Sequence, residues 1–112
     1  MKDLKISTEL ASAVLGLNVV YTESCEHRDG IIGIWTDMNT KPIKEISIYE
    51  FAFKCKEWAL KQGYFIYSTN ELSFIKTFSL ETIETFSNGK DTEIECILKA
   101  SEYILKEINE NR

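Results

Sequence analysis

The sequence predicts an α+β domain, an antiparallel sheet of four to five strands with two helices packed on one face and a short N-terminal helix. The expected order is helix, two strands, helix, two or three strands, helix. Three observations carry this reading. Ser47 to Gly63 is a helix marked at both ends and apolar over more than half its circumference. Paired β-branched and aromatic runs lie on either side of it, joined by polar turn segments. A second capping signal, Thr92 with Glu95, opens a last helix reaching to about Asn109.

Ser7 supplies an N-cap for Thr8 to Leu15, where Leu10, Val14 and Leu17 keep helical spacing and Gly16 is the stop. Asn18 to Thr22 carries the β-branched and aromatic bias of a strand. Glu23 to Gly30 is a polar loop ending in the turn dipeptide Asp29-Gly30, and Ile31 to Thr36 is its antiparallel partner strand. Gly33 inside that run marks a bulge or a close approach of another backbone. Asp37 to Pro42 is a second loop, whose proline biases Lys41 toward extended geometry.

In the central helix, Ser47 and Glu50 form a capping box, and Gly63 stands where an αL cap is expected. At ~100° per residue, Ile48, Phe51, Ala52, Cys55, Trp58 and Ala59 cover one side. Tyr49, Phe53 and Leu60, with Lys56 between them, extend the apolar surface by most of a quadrant. Glu50, Lys54, Glu57 and Lys61 form the polar stripe, with two Glu-to-Lys pairs at i,i+4. So wide an arc needs more than one neighbour.

Tyr64 to Ser68 is the next strand, Thr69-Asn70-Glu71 a hairpin turn, and Leu72 to Phe78 its partner. Glu81 to Ser87 alternates as a strand does, although Ser79 also offers a cap for a short helix there. After the turn at Ser87 to Asp91, the last helix carries Ile94, Ile97, Leu98, Ile104, Leu105 and Ile108 in one stripe about 120° wide, with Ser101 in its middle. This pattern predicts one packed face and one wet face.

At 112 residues the chain is expected to form one domain, 1–112, long enough to bury about two-thirds of its unfolded surface. Its apolar content of 44% places it among folded globules. A net charge of −5 argues against a nucleic-acid backbone as partner. The lysines near Trp35 and Trp58 are interleaved with Glu45, Glu50 and Glu57, which cancel their field. The longest uncharged run, Leu10 to Thr22, is too short to span a bilayer, and no secretory h-region opens the chain. Three cysteines, none in a close pair, point to free thiols in a reducing cytoplasm.

Cys25, His27 and Asp29 project to one side if extended, and they include the single histidine. A thiol and an imidazole two residues apart suit a transition metal or a nucleophile–base pair. A solvated hairpin loop has the same composition, and no second ligand group with zinc-site spacing exists. Cys55 reads as a small buried hydrophobe and Cys96 as an outward residue of the last helix. Trp58 fits either the core or an interface anchor, where Trp and Tyr are enriched. Tyr49, Phe53 and Leu60 fit burial under the first helix or a dimer contact. No glycine-rich phosphate loop is present, since Gly30 to Gly33 lacks both the spacing and the following helix.

Three segments together carry a family resemblance: Leu10-Ala-Ser-Ala-Val-Leu-Gly16, the Trp-bearing helix from Phe53 to Tyr64, and Asp91-Thr-Glu-Ile-Glu-Cys-Ile-Leu-Lys-Ala100. Their order resembles that of small bacteriophage and prophage proteins with an α-β-α sandwich domain. The chain departs from that pattern in its long 76–87 region and lower alanine content. The resemblance implies a phage-derived intracellular protein and supplies no activity and no catalytic residues. The combined expectation is a cytoplasmic, non-enzymatic domain that binds protein, itself included as a homodimer. Trp58, Tyr49, Phe53 and Leu60 are its contacts, and no cofactor, nucleic acid or membrane is involved. The alternative is a small metal-binding protein or thiol enzyme using Cys25, His27 and Asp29.

Overall fold

A computed structural model describes residues 6–24, 28–38, 41–68, 72–77, 82–87 and 93–110, with backbone alone for 68, 72–77 and 82–87. The element order is α1 (Thr8–Leu15), β1 (Tyr21–Ser24), β2 (Ile31–Trp35), β3 (Lys44–Ser47), α2 (Ile48–Lys61), β4 (Tyr64–Ser68), β5 (Leu72–Thr77), β6 (Thr82–Ser87) and α3 (Glu93–Glu110). The chain is α+β, as the pattern of capped helices and β-branched runs dictates. It divides into two compact units, 1–54 and 55–112, the division falling within α2.

The strands of the described residues form two three-stranded antiparallel sheets, ordered β1-β2-β3 and β4-β5-β6. This corrects the expectation of one sheet of four to five strands carrying two helices on one face. Each sheet is a meander of sequence neighbours, so every pairing closes a short loop. The strand that sequence reasoning missed is β3, whose exposed Lys44 and Glu45 hide its β character. Charges of this kind are usual on edge strands. The first strand also lies later than the expected Asn18–Thr22. Residues 82–87 resolve as a strand, leaving the short-helix alternative unused.

In the first unit, the Ser7 hydroxyl accepts from the Leu10 N–H at 3.1 Å and caps α1. Gly16 closes the helix at φ 68°, donating its N–H to the Ser12 carbonyl. The Ser12 hydroxyl then holds the chain leading to β1, accepting from the Val19 N–H at 3.0 Å. Ile32, Ile34 and Ile46 occupy one face of the first sheet and are fully buried with Leu10 and Ala11. Alternation along β2 sends Ile31, Gly33 and Trp35 to the opposite face.

In the second unit, α3 lies along all three strands of the second sheet. Its buried residues are Cys96, Ile97, Leu98, Ala100, Ser101 and Ile104, an arc of about 200°. The helix keeps one packed and one wet face, with Lys99, Glu102 and Lys106 exposed, but the packed face is wider than the expected 120°. Cys96 and Ala100 are buried too, and Cys96 is no outward residue. Small side chains at these positions let a neighbour approach a flank that the Ile and Leu stripe does not define. Ser101, the buried polar residue of this helix, donates its hydroxyl proton to the Ile97 carbonyl one turn back at 2.8 Å.

Candidate functional site

The surface that singles itself out is the outer side of α2. Its position is fixed at the start by Ser47, whose hydroxyl accepts from the N–H groups of Tyr49 at 3.1 Å and Glu50 at 3.3 Å. The Ile48 N–H, another donor that a helix start leaves over, is taken by the Gly30 carbonyl at 2.7 Å. At the other end the last turn tightens, with Gly63 donating to the Leu60 carbonyl at 3.1 Å and adopting φ 93°. A side chain at that φ would be strained, so glycine sets the stop.

Between these ends the helix sorts its residues as its periodicity requires. Ile48, Phe51, Ala52, Cys55, Trp58 and Ala59 are buried. Trp58 is only 8% exposed, which favours the core over the interface anchor among its two expected roles. Tyr49, Phe53 and Leu60 behave oppositely, at 61%, 64% and 46% exposure. They were expected either beneath the first helix or at a contact, and within this chain they stay open. With Lys56 their spacing is four, three, four, the a/d spacing of a helix seam. The result is an apolar row along one helix, beside the polar stripe of Glu50, Lys54, Glu57 and Lys61.

On the core side of the same helix lies a thiol with little chemistry. Loss of solvent around Cys55 pushes its thiol from 9.0 to about 12, against a smaller opposing effect of its hydrogen bond with Ser101. A thiol held protonated is a poor nucleophile and a poor metal ligand. Cys55 and Cys96 are both buried, and neither is in a disulfide.

The outer face of the first sheet carries a second apolar group. Tyr21 and Trp35 are cross-strand partners, with ring centroids 5.2 Å apart and planes at 58°. The indole lies back over Gly33, where a methyl group would fall 2.8 Å and 2.9 Å from Cζ3 and Cη2 of the ring. The expected close approach of another backbone is corrected: the nearest atoms belong to a side chain of the same strand. Exposed Glu45 on β3 lies opposite Gly33 and forms an ion pair with Arg28 from the β1–β2 loop.

Of the proposed thiol–imidazole group, Cys25 and His27 lie outside the described residues. Asp29 stands exposed in the turn before β2, where Gly30 takes φ 79°. Among the described residues no three His, Cys, Asp or Glu side chains gather as a metal site would require. No described helix is long and apolar enough to cross a membrane.

The chain matches no family model, no curated protein and no solved structure.

Proposed function

We propose that the chain is a non-catalytic interaction domain of phage origin, which self-associates through the outer face of α2. One observation carries the reading, the row of Tyr49, Phe53 and Leu60 left 61%, 64% and 46% exposed on a helix whose other apolar side is already buried. Full burial of a large apolar side chain is worth roughly 1.5–3 kcal/mol, and covering three that are about half exposed recovers about half of that each, which favours association. Aromatic residues at the centre of a contact patch carry most of its binding energy. A second copy is the simplest occupant, because a two-fold axis lets one apolar row cover another. The phage origin rests on the resemblance in the order of its three helices.

Sedimentation velocity across a range of concentrations tests this directly. The native chain is expected to form a dimer in the micromolar range, and Phe53→Glu is expected to sediment as a folded monomer. A native chain that remains monomeric at millimolar concentration sinks the proposal.

A further inference from the structure

We draw no further inference here: the strongest candidate, the apolar row of Tyr21, Trp35 and Ile43 across the outer face of the first sheet, is an open sheet face, and nothing in the structure shows what covers it.

Discussion

Gly33 and Trp35 illustrate how one missing methyl group positions an aromatic ring. The indole rests where a Cβ at residue 33 would have to be, with Pro42 Cβ 3.5 Å from the same point. Gly33→Ala forces the ring outward and is expected to cost about 1–3 kcal/mol, the usual range for overpacking. In a Trp35→Val background the ring is gone and the sign should reverse. Alanine then gains about 0.4–1 kcal/mol by restricting the unfolded chain. Urea midpoints of the four chains measure both steps, and equal costs in the two backgrounds would dismiss the ring as the cause. The sequence pointed to Gly33 as a bulge or a backbone contact, and it had no means of showing that the neighbour is a side chain two residues away.

Cys55 offers a residue-scale prediction in pH. The folded thiol, desolvated by burial, gives up its proton at about 12, whereas in the unfolded chain it does so near 9.0. Below pH 9 both states hold the proton and the thiol adds no pH dependence. Above it the unfolded chain ionises first, so stability falls, by about 2 kcal/mol at pH 10.5 for this group. Cys55→Ala removes that contribution. The difference in unfolding free energy between the two proteins should therefore shrink from pH 8.5 to 10.5, followed by urea denaturation at each pH. A constant difference would mean that the thiol is not desolvated.

Among the elements, the helices were legible because their ends are written in side chains. Ser7 and Ser47 as caps and Gly16 and Gly63 as stops gave α1 and α2 to within two residues. Ser47→Ala removes the acceptor of two N–H groups and is expected to cost about 1 kcal/mol. Thermal unfolding would register it, and Ser47→Asp, which keeps an acceptor, should restore most of the loss. Strands were less legible, since a strand is defined by a partner as much as by its own residues. β3 has only Ile46 buried among four residues, and its two exposed charges give no alternation to read. The arc of α3 was under-read for a related reason. Cys96 and Ala100 are small enough to bury without announcing a hydrophobic stripe. On α2 the wide apolar arc was visible from the sequence. Which part of it would stay open was not, because that depends on what the rest of the chain covers.

For the whole molecule, the open row on α2 makes association and stability one question. If dimerisation covers Phe53, the melting temperature should rise with protein concentration, because binding that favours the folded state stabilises it by mass action. Phe53→Glu should melt at a temperature independent of concentration. It should match the native chain at high dilution to within about 0.5 kcal/mol, as exposed substitutions usually do. A native melting temperature independent of concentration would set the dimer aside. The division into two sheets also belongs to this scale. Each half has its own strand runs and turns, and periodicity alone cannot tell whether two meanders separated in sequence by a helix share hydrogen bonds.

Ser47 ends β3 and caps α2 in the same residue, with no loop between strand and helix. The next N–H, that of Ile48, is held by Gly30 at the foot of β2. Peeling the edge strand therefore uncaps the helix, and fraying the helix loosens the strand's last rung. In native-state hydrogen exchange, the amides of Ile48, Tyr49 and Glu50 should open together with the β2–β3 ladder, at a single free energy. A terminus that would fray by itself is tied by one serine into the opening of a whole sheet.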